Sequence, residues 1–202
     1  MQEKPGLQET LELMKDLRRR CEWDAAQTHE SLRPYLLEEA YEVDDAIRAG
    51  NDALLREELG DLLLQVYFHA VIAEEGGVFT LDDVARGISD KMHRRNPHVF
   101  GPDGGHTEMT AAEVDAQWQE IKQREKPRRS AYDGIGPGLS ALLLATKILE
   151  RRPEVAAELA DPGDRSADLG DRLLALVAEA TSAGVDPEQA LRTALRRTVG
   201  KR

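Results

Sequence analysis

Apolar residues recur every three to four positions along almost the whole chain, and period-two alternation is scarce, so the pattern predicts helices throughout. Leu7, Leu11, Met14 and Leu17 lie on one face of a first helix over 7–20, whose basic end (Arg18, Arg19, Arg20) suits the negative pole of its dipole. Residues 21–29 read as a loop. A second helix is expected over 31–48, closed by Ala49-Gly50, with Pro34 in its first turn where proline is tolerated. Asn51 can cap a third helix reaching Glu75 and stopping at Gly76-Gly77. Its stretch Leu62–Ile72 is apolar nearly all round, as in a central buried helix. Thr80 with Asp83 opens a fourth helix to about Arg95, 96–106 is a loop rich in proline and glycine, and Thr110 with Glu113 forms a capping box for a fifth helix to about Glu125.

Beyond that the punctuation changes. Residues 127–138 form a proline- and glycine-rich linker, and shorter helices follow over 139–151, 168–182 and 187–198. The organisation expected is therefore an all-α domain over 1–126, the linker 127–138, and a smaller helical part over 139–202. The last part carries an echo of the first: Glu58-Leu-Gly-Asp61-Leu-Leu-Leu-Gln-Val reappears as Asp168-Leu-Gly-Asp171-Arg-Leu-Leu-Ala-Leu. Chance matching of leucine-rich helices is the competing explanation.

Composition narrows the function. The 202 residues are enough for a core without staples, and the single cysteine, Cys21, excludes an intramolecular disulfide and fits a reducing, cytoplasmic setting. No apolar run is long enough to span a membrane, and the N-terminus has no signal-peptide pattern, so no membrane partner is expected. A net charge of −11 argues against direct nucleic-acid binding. That charge is uneven: residues 1–126 hold 15 basic and 27 acidic side chains, whereas 127–202 hold 12 and 11.

Some of those acids fall in a pattern. Glu39 and Glu42 are three apart on the second helix, as are Glu58 and Asp61 on the third, so each pair shares a helix face. The short turn at Gly50-Asn51 makes the two helices an antiparallel hairpin. Both pairs lie eight to eleven residues from it, at the same height. No Lys or Arg lies between Tyr35 and Ala46, and only Arg56 lies in the first half of the third helix. Carboxylates gathered beside a buried helix need cations, and all-oxygen ligation suits Mg²⁺, with Mn²⁺ as a substitute. Two exposed acidic faces are the bland alternative. A di-iron bundle, which uses Glu-x-x-His on two helices, fits poorly.

Lys91 and Arg95, four apart, and the adjacent Arg94 end the fourth helix, and Lys122 follows Trp118 at the same spacing on the fifth. Beside a metal these cations suit a triphosphate; taken alone, Lys91, Arg94 and Arg95 would simply offset a helix dipole, and Trp118 would be core. Trp23 can line a base pocket or pack. His29 and His69 read as structural histidines.

Taken in order, Cys21–His29 (Cys-x-Trp-Asp-x-x-Gln-Thr-His), Leu37–Glu42, Glu58–Leu63, Ser89–Phe100 and Trp118–Lys122 resemble the MazG family of nucleoside triphosphate pyrophosphohydrolases over about residues 7–126. The resemblance implies an all-α, MazG-like helical bundle completed by homodimerisation, and Mg²⁺-dependent cleavage of NTPs or dNTPs to monophosphate and pyrophosphate, a possible house-cleaning of the nucleotide pool. It implies that Glu39, Glu42, Glu58 and Asp61 carry the metal, that Glu38 is an accessory ligand or orients water, and that Lys91, Arg94, Arg95, Trp118 and Lys122 contact the nucleotide. Long relatives carry two such domains; here 139–202 reads as a degenerate, truncated second repeat without the upstream Glu-Glu-x-x-Glu. The alternatives are a non-catalytic nucleotide- or partner-binding module and another enzyme of the superfamily, such as a phosphoribosyl-ATP pyrophosphohydrolase or a dUTPase-like enzyme.

Overall fold

The structure, a computed structural model, describes residues 6–101, 108–125, 130–136, 138–159 and 166–200. Parts of the expected 96–106 loop and of the linker, including Arg128 and Arg129, lie outside them. Among the described residues every regular element is a helix. The chain forms two compact units, Met1–Met109 and Thr110–Arg202.

The first unit is built on a helical hairpin. Helix α1 spans Leu7–Arg20, α2 Glu22–Ala26, α3 His29–Ala49, α4 Asp52–Glu75, α5 Leu81–Arg95 and α6 Pro97–Phe100. Gly50 closes α3 with φ +61°, a left-handed conformation that glycine adopts without a Cβ penalty, and Asn51 Oδ1 then accepts from the amides of Ala53 and Leu54 to start α4. The chain therefore reverses within two residues, and α3 and α4 pack side by side. Leu11 and Met14 of α1 meet Leu32 of α3 and Tyr67, Phe68 and Val71 of α4 in one buried cluster. Full burial of each such side chain contributes about 1.5–3 kcal/mol, which makes this cluster the main support of the hairpin. Tyr67, 2% exposed, also donates its hydroxyl to Leu7 O at 2.8 Å and fastens the start of α1.

Helix α3 begins earlier than the periodicity suggests. Thr28 Oγ1 accepts from Ser31 N at 3.1 Å and Ser31 Oγ from Thr28 N at 2.9 Å, a reciprocal cap that draws His29 and Glu30 into the helix. Pro34 thus lies inside the helix, beyond its first turn. The expected loop 21–29 holds α2 instead, and the loop after α5 holds α6.

Arg18 does more than balance a dipole. Its side chain is nearly buried and donates through Nη1 to the carbonyls of Asp24, Ala25 (3.2 Å) and Gln27 (2.9 Å), while Nε and Nη2 grip the Glu75 carboxylate. That guanidinium holds the Glu75 carboxyl below its ordinary pKa. One residue thereby ties α2, which carries Trp23, to the end of α4. A lysine has no planar fork to reproduce these contacts. Arg18→Lys is expected to lower unfolding free energy by about 1.5–3 kcal/mol, the scale of hydrogen bonds to a charged group, measured by urea denaturation.

Helix α4 is not enclosed on all sides as its composition suggests. Gln65, Tyr67, Phe68, Ala70, Val71 and Ala73 are buried, but Leu59, Leu63 and Val66, at i, i+4 and i+7, form an exposed apolar flank.

The second unit contains α7 (Ala111–Glu125), α8 (Ala141–Arg151), α9 (Pro153–Ala156), α10 (Leu169–Ser182) and α11 (Pro187–Val199). The expected Thr110–Glu113 capping box is present, with Thr110 N donating to Glu113 Oε2 at 2.8 Å. Leu149, Val177 and Ala178 form a small core with Leu142, Leu174 and Val155 around it. Ser140 caps α8 and donates to Glu188 Oε2 at 2.9 Å, which ties α11 to α8.

Candidate metal centre

The hairpin delivers the acids as its symmetry about Gly50 predicts. Carboxylate oxygens of Glu39 on α3 and of Glu58 and Asp61 on α4 all lie within 4.8 Å of one another, a spacing from which three ligands can share one cation. All three residues are half-buried. Glu42, exposed one turn along α3, joins them: its charge is among those that raise both Glu39 and Glu58.

The electrostatics are one-sided. Among the described residues, no Lys or Arg makes an ion pair with Glu39, Glu42, Glu58 or Asp61. The Glu39 carboxyl is pushed above its ordinary pKa, first by desolvation and then by the charges of Asp61, Glu42 and Glu38. Glu58 is raised likewise, first by desolvation and then by Glu42, Asp61 and Glu57. Four acids held together without a counter-charge favour either a shared proton or a multivalent cation. An all-carboxylate donor set is hard, and it matches Mg²⁺ or Mn²⁺ better than a metal that seeks sulfur or imidazole.

Other expected site residues fall as follows. Glu38 is exposed beside Glu39 and adds to its charge. Lys91 and Arg95 are half-buried and Arg94 exposed on the last turns of α5, an end braced by Asn96 Nδ2 donating to Met92 O at 2.7 Å and by His93 against Phe100. Trp118 and Lys122 lie half-buried on α7 in the second unit, where Lys122 lines a polar cavity of about 640 Å³ with Lys147 and Arg151. Trp23 is 54% exposed, with its ring edge-on to Tyr35 and to Phe68, both at 6.4 Å between centroids.

The seam also holds a contact that sequence reasoning did not supply. Nδ1 of His29 is 2.7 Å from Nδ1 of His69, and the two rings stack 7° from parallel. Burial, and then the charge of His29, hold His69 below the ordinary histidine pKa. Two histidines 40 residues apart leave no periodic signal. Only the hairpin's equal arms, with His29 about as far before Gly50 as His69 lies after it, could have suggested the pairing.

Comparison with known proteins identifies the family. Residues 27–100, which span both acid pairs, match the model of the MazG nucleotide pyrophosphohydrolase domain. The chain is 40% identical to the nucleoside triphosphate pyrophosphohydrolase/pyrophosphatase MazG of Thermotoga maritima, over 95% of this chain and 82% of that one. It is 41% identical to the nucleoside triphosphate pyrophosphohydrolase of Mycobacterium tuberculosis, over 94% of this chain but 54% of the relative, and 39% identical to that of Escherichia coli K12, over 87% and 67%. The crystal structure of a mazG-related protein from Thermotoga maritima superposes with a TM-score of 0.50 at 26% identity, covering 58% of this chain and 99% of the other. With this breadth of identity and the acid set held between α3 and α4, the chain belongs to the MazG nucleotide pyrophosphohydrolase family.

Proposed function

We propose that the protein hydrolyses nucleoside triphosphates, ribo- or deoxyribo-, to the monophosphate and pyrophosphate, using Mg²⁺ or, in its place, Mn²⁺. The observation that carries this reading is the convergence of Glu39, Glu58 and Asp61 within 4.8 Å, with no Lys or Arg among the described residues ion-paired to them. Glu39, Glu42, Glu58 and Asp61 would hold the cation. Held there, the cation would supply neutralisation of the triphosphate charge, activation of water and stabilisation of the departing oxygen. Glu38, exposed beside Glu39, would be an accessory ligand or orient the attacking water. Lys91, Arg94 and Arg95 would offer charge for the phosphate oxygens.

We assign a homodimer to the active form. The apolar flank Leu59–Leu63–Val66, on the helix that supplies two of the acids, supports a second copy as its cover. No helix among the described residues is long and apolar enough to cross a membrane. A cytoplasmic enzyme that removes unwanted nucleotides is the role this chemistry suits.

The region 139–202 is read as a second repeat that has lost its metal set. Adding 110 to each number maps α4 onto α10. Gln65, Tyr67 and Phe68 become Ala175, Val177 and Ala178, all buried, while Leu59, Leu63 and Val66 become Leu169, Leu173 and Leu176, all exposed. The counterpart of Glu58 is Asp168, whose carboxylate is engaged as the cap of α10, accepting from Gly170 N at 2.7 Å.

The test is a panel of the common NTPs and dNTPs with Mg²⁺, scoring pyrophosphate against orthophosphate. Pyrophosphate and monophosphate in equal amounts are expected. Orthophosphate release, or saturable binding with no turnover, would overturn the reading.

A further inference from the structure

The face of α4 that carries the acids continues past them. Positions 58, 61, 65 and 69 stay within one stripe of the helix. By helical rise Gln65 lies about 6 Å and His69 about 12 Å beyond Asp61. Gln65 is 4% exposed, and its Oε1 is buried with no hydrogen-bond partner; Nε2 of His69 is in the same condition. Two unpartnered polar atoms one turn apart, in the best-packed part of the first unit, are a cost that a fold ordinarily avoids.

The histidine pair gives one of these atoms a defined character. The 2.7 Å approach of the two Nδ1 atoms requires one to carry a proton and the other to lack it. His69 Nε2 therefore has a single role, donor or acceptor, set by the tautomer of His29. Burial keeps His69 neutral near pH 7, so that role is stable there. Beside the stripe, Phe68 packs against the edge of Trp23, whose own ring is half open to solvent.

We propose that Gln65 and His69 form the nucleobase end of the substrate site, meeting the ring nitrogens and exocyclic groups of the base by hydrogen bonds, with Trp23 as the flat wall beside them. This rests on the carboxylates being the phosphate end. From there a nucleotide runs through its sugar to a flat heterocycle that is apolar on its faces and polar on its edge. The stripe offers the matching sequence: acids for the metal-bound phosphates, then an amide and an imidazole without partners, then aromatic surface. In the free chain both atoms are shut away from solvent, so the Gln65 side chain turns to admit the base, and the hydrogen bonds then made offset that opening. A trapped water is the rival occupant, since it too would satisfy both atoms.

The experiment compares nucleoside triphosphates with ribose 5-triphosphate, which keeps the sugar and phosphates but has no base, using the full chain with Mg²⁺. In Gln65→Met and His69→Phe the preference for the nucleotide, as a ratio of kcat/KM values, is expected to fall about 3- to 10-fold, chiefly through KM. A structural role, or a water between the two atoms, would lower both substrates alike; an unchanged ratio in both variants overturns the proposal. If a variant does not fold, the unaltered protein still decides. The imidazole NMR resonances of His69 should shift on adding a nucleoside triphosphate with Ca²⁺ and stay in place with inorganic tripolyphosphate, and equal behaviour with both overturns the proposal. Absence of pyrophosphate release from both substrates by the unaltered chain would instead refute the enzymatic reading itself.

Discussion

Asp61→Asn is expected to give a fully helical chain that melts no lower than the parent and yet releases pyrophosphate at least about 100-fold more slowly, above the range lost when only an outer-shell partner of a metal is removed. The two halves of this result have one cause. Asp61 is among the charges that raise the Glu39 and Glu58 carboxyls, so removing its charge relieves repulsion among the remaining acids. The same change turns one of three carboxylates that converge within 4.8 Å into a neutral amide, a much weaker ligand for a hard cation. A merely structural acid would lose stability and activity together. Circular dichroism, thermal melting and a pyrophosphate assay on the same preparation separate the cases. Activity within a few-fold of the parent would remove Asp61 from the site.

The second large effect concerns metal and pH together. Glu39 and Glu58 have folded pKa values above their unfolded ones. A group raised in this way contributes stability that is fully present below its unfolded pKa and is lost as pH rises through the folded one. Without metal, the site is therefore a liability at neutral pH, and the liability fades as pH falls through the raised carboxyl range. A cation that binds only the folded state stabilises by mass action, about 2.7 kcal/mol at a hundredfold excess over its Kd. Millimolar Mg²⁺ should accordingly raise Tm at pH 7.5, raise it much less at pH 5 where protons compete for the same oxygens, and do little for Asp61→Asn. Differential scanning fluorimetry across pH, with and without chelator, measures all three. An equal shift at both pH values would mean that Mg²⁺ acts elsewhere.

The acid arrangement was legible because it depends on counting alone: two three-residue spacings and a short turn place four carboxylates at one height, and the fold brings three of them, Glu39, Glu58 and Asp61, within 4.8 Å of one another. The helices with explicit caps, at Asn51, Thr80 and Thr110, were legible for a similar reason, since their signals are local. Helix α2 was not, because five residues are too few to show a period. The early start of α3 was hidden in a cap made of two hydroxyls, Thr28 and Ser31, rather than the more familiar pairing with an acid. Arg18 illustrates a different limit. Its place at a helix end is visible in sequence, but its three carbonyl partners come from a segment whose path only tertiary structure defines. The exposed flank of α4 lies beyond sequence reading altogether, because composition reports how apolar a helix is and not what covers it.

The two-residue reversal at Gly50-Asn51 has a consequence for which length changes the chain can tolerate. Because both acid pairs are positioned by their distance from that reversal, one residue inserted between Asn51 and Glu58 would turn Glu58 and Asp61 by about 100° and move them about 1.5 Å along α4. The same turn would carry Tyr67, Phe68 and Val71 off the buried cluster, so the acids would cease to face Glu39 and the hairpin would lose its main support. An insertion after Glu75, at Gly76-Gly77, would leave the acid pairs in register with each other. Length variation in descendants of this gene should therefore be excluded from the stretch between the two acid pairs and gather beyond Glu75, a pattern written by geometry rather than by the identity of any residue.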